Sequence, residues 1–183
     1  MHDSLVPTAD GQRIAARFFD YRGTGLSRPR ALRGFEADIF DWARLDCAAM
    51  IEALRERPLY WIGHSLGGQI LGLVPNKNSV KKAVTVATGS GYWRENTAGI
   101  RPKAWWLWFV VTPLALPLWG YFPGKALRKV GDLPKGVMAQ WSARNTEPIH
   151  GFYTGAPRIG PFGFFRSVFE ASLWQAHLLP ELA

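Results

Sequence analysis

Polar and apolar positions along the chain change period several times, and each change predicts an element. Leu5-Val6 and the strand-like Arg13–Phe19 flank Ala9-Asp10-Gly11-Gln12, which is turn chemistry, so Val6 to Phe19 is expected to form a hairpin. Ala43, Cys47, Met50, Ile51 and Leu54 then recur at helical spacing. Asp41 is the expected cap of that helix, which runs to about Arg57 and ends at Pro58. Leu59 to Ile62 is a short uncharged run of the kind a buried parallel strand needs, and Leu66 to Val74 suits a short helix stopped by Pro75. Val80 to Ala87 is a second strand, ended by Thr88-Gly89-Ser90-Gly91. Strands alternating with helices in this order predict an α/β domain with a short parallel sheet.

The second half is less regular. Ala104 to Gly124 carries no charge and is rich in tryptophan, with Pro113, Pro117 and Pro123 inside it. Three placements suit it: a cap or lid over an apolar pocket, roughly 91–141; peripheral membrane contact through 104–124; or a membrane span. Three prolines, two glycines and four tryptophans make a poor span, so the aromatic-rich helical cap is the expectation carried forward. Val137 to Arg144 suits two helical turns. Phe165, Val168, Phe169, Leu173 and Ala176 predict an amphipathic helix over 164–179, closed by Pro180.

Composition narrows the class. A chain of 183 residues with 48% hydrophobic content has room for one globular domain with a core. The single cysteine, Cys47, excludes an internal disulfide and a cysteine-based zinc site, and it suits a buried place in its helix. The net charge of +8 raises the question of nucleic acid. Its excess sits in Arg22, Arg28, Arg30 and Arg33 and in Lys125, Arg128 and Lys129, with no nucleic-acid-binding motif around either group, so both are expected to be solvated surface charge and no nucleic-acid partner is predicted. Met1-His2-Asp3-Ser4 lacks a basic segment leading into an apolar one, which predicts a cytoplasmic location. No cofactor motif emerges: in the glycine loop Asp20 to Ser27 the third glycine of a dinucleotide fingerprint is replaced by Arg28.

Chemistry concentrates in Gly63-His64-Ser65-Leu66-Gly67. A strand that turns sharply into a helix needs glycines beside the serine, because a Cβ there collides with neighbouring backbone, and it exposes the serine Oγ at the tip of a strained turn. Strand before and helix after provide the context that the bare spacing lacks.

The run Asp20-Tyr21-Arg22-Gly23-Thr24-Gly25-Leu26-Ser27, followed by a helix and then Trp61 to Gln69, resembles the strand-four loop, helix and nucleophile elbow of the α/β-hydrolase superfamily. It is similar to a bacterial group of serine hydrolases of the serine aminopeptidase or lysophospholipase-like type, and Arg158 to Arg166 resembles that group's C-terminal motif. The resemblance implies a truncated α/β-hydrolase-like parallel sheet flanked by helices. It also implies hydrolysis of an ester, amide or thioester in a hydrophobic acyl substrate through an acyl-enzyme. Ser65 would be the nucleophile and the backbone N–H of Leu66 an oxyanion donor.

The chain departs from the family at three places. Pro161 stands where the group has its catalytic histidine. Only His150 and His177 follow Ser65, while His64 is its neighbour along the backbone and is expected to point away from its hydroxyl. None of the later acids, Glu95, Asp132, Glu147, Glu170 and Glu181, follows a convincing strand, so the triad is incomplete on sequence. Phe19 also joins Asp20 directly, where the family has a further strand and a second oxyanion loop. The alternative expectation is therefore a degenerate relic that binds an apolar ligand or a protein partner, with sheet faces and edges left open.

Overall fold

The computed structural model describes residues 2–7, 13–88, 92–128 and 130–144. The chain opens with the expected hairpin: β1 (His2–Pro7) pairs antiparallel with β2 (Arg13–Phe18), from His2 opposite Phe18 to Pro7 opposite Arg13. Its turn, with Asp10 and Gly11, lies outside the described residues, as do the C-terminal helix expected over 164–179 and Pro161.

The first helix, α1 (residues 39–53), starts three residues before the position expected from sequence, because Asp38 and not Asp41 is its cap. The Asp38 carboxylate accepts from the Asp41 N–H at 2.9 Å, and the Asp41 carboxylate accepts from the Asp38 N–H at 3.0 Å. This reciprocal pair satisfies two donors that the helix start would otherwise leave open. Ile39, Trp42, Ala43, Cys47 and Ile51 form the buried face, whereas Met50 is only half-buried. A wider π-type turn over Trp42–Cys47 re-aims that face.

Next come β3 (Leu59–His64), the short helix α2 (Leu66–Ile70) with a tighter turn over Leu71–Leu73, and β4 (Val80–Val86). β3 and β4 are parallel, with a bulge between Leu59 and Tyr60 and then even pairing to His64 opposite Val86. This two-stranded sheet, with helices on one side, is the parallel pairing expected from the element order. β3 is not buried on both faces, however. Tyr60 and Ile62 are each 51% exposed, because no described element covers their side of the sheet.

A helical run, α3 (residues 101–119), also carries a π-type turn, at Leu107–Val111, and ends at Gly120. Gly120 adopts φ 74° and donates to the Leu116 carbonyl at 2.9 Å, a left-handed stop that suits glycine. β5 (Tyr121–Phe122) pairs antiparallel with β6 (Leu133–Pro134), and α4 (Lys135–Arg144) follows, longer than the two turns expected from sequence. Among the described residues no helix is long and apolar enough to cross a membrane.

One cluster holds these pieces together. Ile39, Trp42, Cys47 and Ile51 of α1 meet Ile70 and Val74 from the turn after β3, Leu116 of α3, Phe122, Leu133, and Val137 and Met138 of α4. The aromatic segment therefore supplies part of the main core. Backbone ties reinforce the packing: Gln140 accepts from the Ile39 N–H at 2.9 Å and donates to the Asp38 carboxylate at 2.7 Å, and the Val137 N–H donates to the Ala37 carbonyl at 3.1 Å.

Arg22 and Arg28 depart from their expected role as solvated surface charge, while Arg30 and Arg33 stay exposed. Arg22 grips Asp46 through its backbone N–H and its guanidinium at 2.8–2.9 Å, Arg28 pairs with Asp132 at 2.6 Å, and Arg33 donates to the Leu118 carbonyl at 2.7 Å. These bonds fasten the glycine loop to α1 and to the second half of the chain. Acids far away in sequence convert an acid-free run into ties.

Candidate active site

Ser65 sits between the end of β3 and the start of α2, with φ 53° and ψ −118°. A non-glycine residue in this region stores on the order of 1–3 kcal/mol and persists only where its surroundings over-determine it. Those surroundings are visible. The Ser65 N–H donates to the Val86 carbonyl at 2.9 Å, which ties the turn to β4. Its carbonyl accepts from the N–H groups of Gly68 at 3.0 Å and Gln69 at 3.4 Å and from the Thr88 hydroxyl at 3.2 Å. Trp61 reaches forward from β3 and donates its indole N–H to the Gly67 carbonyl at 3.0 Å.

The glycines beside the serine divide differently from expectation. A Cβ at Gly63 would lie 2.6 Å from the Gly68 Cα and 2.7 Å from the Gly67 oxygen, so only glycine fits there. At Gly67 a Cβ would meet nothing within 4 Å; the second obligatory position is Gly68, where a Cβ would run into the Thr88 side chain. Helix and strands thus touch at Gly63 and Gly68, and the sharpness of the turn follows from that contact. Gly68, Thr88 and Trp61 had no role of their own in the sequence reading, although the Gly67-Gly68 pair was the signal for the first.

Both parallel strands end in the same unusual way. Just past β4, Ala87 has φ 51°, so two neighbouring strands carry strained non-glycine backbone at their carboxyl ends. In open parallel sheets ligand sites lie at that edge. Ser65 is half-buried there, as are His64 and Leu66. The Leu66 N–H is the first of α2, ahead of the Gly68 and Gln69 donors that turn back onto Ser65.

The other expected catalytic groups are not brought to Ser65 by the described residues. His150, His177, Glu147, Glu170 and Glu181 lie outside them. Asp132 is committed elsewhere: it accepts from the Lys125 N–H at 3.0 Å and pairs with Arg28. Burial pushes its carboxyl up, but those hydrogen bonds and the Arg28 and Lys125 charges outweigh burial and hold it below the usual carboxylate range. Glu95 is an exposed residue in the turn before α3. Cys47 is no hidden nucleophile, since burial raises its thiol, as burial also raises the Tyr21 hydroxyl 3.7 Å from it. Among the described residues no cluster of His, Cys, Asp or Glu could hold a metal ion.

Strand, strained serine, glycine contact and short helix together have the backbone shape of a nucleophile elbow, and the alpha/beta hydrolase family matches residues 2–181. The chain belongs to the alpha/beta hydrolase family. No curated protein and no solved structure matches it. In an alpha/beta hydrolase the elbow presents its serine above the sheet for attack on an acyl carbon, and the Ser65 turn has that backbone shape.

Proposed function

We propose that this alpha/beta hydrolase is a serine hydrolase that cleaves an ester, amide or thioester in a hydrophobic acyl substrate through an acyl-enzyme on Ser65. The observation that carries the reading is the strained Ser65 backbone, held by Val86, Thr88, Gly68 and Trp61 at the carboxyl end of the parallel strands. A fold keeps such strain where a side chain must be exposed at one point. In the first step the Ser65 oxygen bonds to the acyl carbon, its proton passes to a base, and the leaving alcohol, amine or thiol departs with a proton. Water then reverses the sequence and frees the acid. The Leu66 N–H steadies the charge that builds on the acyl oxygen in both steps. The aromatic segment 91–141 is proposed to shelter the acyl chain as a cap.

A second reading is favoured by Asp132, which is locked to Arg28 instead of standing free for a histidine. On that reading the elbow survives as architecture, and the protein binds an apolar ligand or a partner without turnover.

Covalent labelling with a fluorophosphonate probe separates the two, with Ser65→Ala as control. Labelling that disappears in the variant supports the hydrolase. Absence of labelling in folded protein supports the second reading, because removing a serine hydrolase's base costs several orders of magnitude in rate.

A further inference from the structure

Beside α3 and α4 lies a cleft of ≈ 380 Å³, lined by Leu107, Trp108, Phe122, Arg128, Val130, Met138 and Trp141. That volume falls within the usual range for small-molecule sites, about 300–1,000 Å³. None of these residues is part of the elbow. The cleft has a polarity of its own: Phe122 and Met138, both fully buried, form its floor, while Arg128 and Val130 are exposed at its mouth. Trp108 and Trp141 form a wall, their rings packed edge to face with centroids 5.4 Å apart. Among the described residues Arg128 is the one charged member of the lining.

Two further observations single Arg128 out. Unlike Arg22 and Arg28, it has no carboxylate partner among the described residues; Asp132, four positions along, is taken by Arg28. Its backbone also adopts φ 50°, a left-handed conformation that is costly for arginine and ordinary for glycine. A cation kept at the rim of an aromatic cleft, with no carboxylate partner among the described residues and at a conformational cost, is matched by a ligand with an anionic head and a hydrocarbon tail.

We propose that this cleft binds the monomeric carboxylate of an unbranched medium-length acyl chain, with the tail on Phe122, Met138, Trp108 and Trp141 and the head at Arg128. The binding requires no catalytic step. Only its link to hydrolysis, a carboxylate being what acyl hydrolysis releases, rests on the function proposed above.

Decanoate and decanol, titrated into the full chain and followed by calorimetry, test the proposal. Decanoate is expected to bind once per chain and to bind more tightly than decanol. Arg128→Ala should weaken decanoate roughly five- to tenfold and leave decanol unchanged, while Arg128→Lys keeps most of the affinity. Arg128→Gly should weaken decanoate equally and yet raise the melting temperature by roughly 2–4 °C, since it relieves the left-handed strain. Val130→Trp, at an exposed position, should block both ligands without cost to folding. Ser65→Ala should bind decanoate like the native protein, so loss of hydrolysis and loss of this site are read separately. The proposal is overturned if the native chain binds no decanoate or holds decanol as tightly. It is equally overturned if Arg128→Ala or Val130→Trp leaves decanoate affinity unchanged, or if only phosphatidylglycerol vesicles bind.

Discussion

At the scale of single residues, the backbone of Ser65 decides how the molecule is read. Its φ of 53° and ψ of −118° belong to a region open to glycine and costly for a residue with a Cβ. Ser65→Gly is therefore expected to be more stable than Ser65→Ala by about 1–2 kcal/mol, although both lose the hydroxyl. Denaturant melts of the two variants check this, and equal stability would mean that Ser65 is not held in an elbow. The candidate nucleophile was legible because an elbow is a local device: strand, glycine at Gly63, serine and helix lie within a dozen residues. The contact that makes the turn sharp was only half legible. Gly63 is needed as read, but the second needed glycine is Gly68, whose neighbour Thr88 lies on the next strand's exit. Spacing along one segment carries no information about what another segment places against it.

At the scale of elements, α1, β3, β4 and the hairpin follow from periodicity and turn chemistry, with boundary errors at their ends and one error of burial, in β3. The cap moved from Asp41 to Asp38 because two carboxylates share the job, a reciprocity that a search for one capping residue overlooks. The helix α3 shows what periodicity leaves open. Thr112, Ala115 and Leu116 turn inward, while Trp105, Trp106, Phe109, Leu114, Leu118 and Trp119 stay exposed, Trp106 at 57% and Leu118 at 64%. Arg101 and Lys103 stand at its start, and no acid occurs between Glu95 and Asp132. On that exposed apolar face and its basic flanks, we propose peripheral contact with anionic lipid. The chain is expected to sediment with phosphatidylglycerol vesicles and much less with phosphatidylcholine, and Trp106→Glu with Leu118→Glu should reduce sedimentation severalfold. Equal behaviour with both lipids, or none with either, counts against the contact.

At the scale of the whole molecule, long-range ties join the two halves, and Arg28–Asp132 spans 104 positions. The Asp132 carboxyl is held below its ordinary range, so folding favours its ionised form: the tie is present above the unfolded-state value near pH ~4 and fades as pH falls through the lower folded-state value. Asp132→Asn should cost about 1–3 kcal/mol at pH 7. The gap between native and variant protein should narrow below pH ~4, and urea melts at pH 7 and pH 3 measure both. A gap that widens in acid would contradict the assignment. By itself the sequence determined the α/β class, the hairpin, the elbow and the likeness to alpha/beta hydrolases, because each is written in residues close enough along the chain to fix one another's backbone. Tertiary structure alone decided that, among the described residues, Tyr60 and Ile62 stand uncovered, Arg22 and Arg28 pair with distant acids, and Arg128 at an aromatic cleft has no carboxylate partner. Burial and pairing depend on which distant segments meet, and that is settled only when the core of α1, α3 and α4 closes.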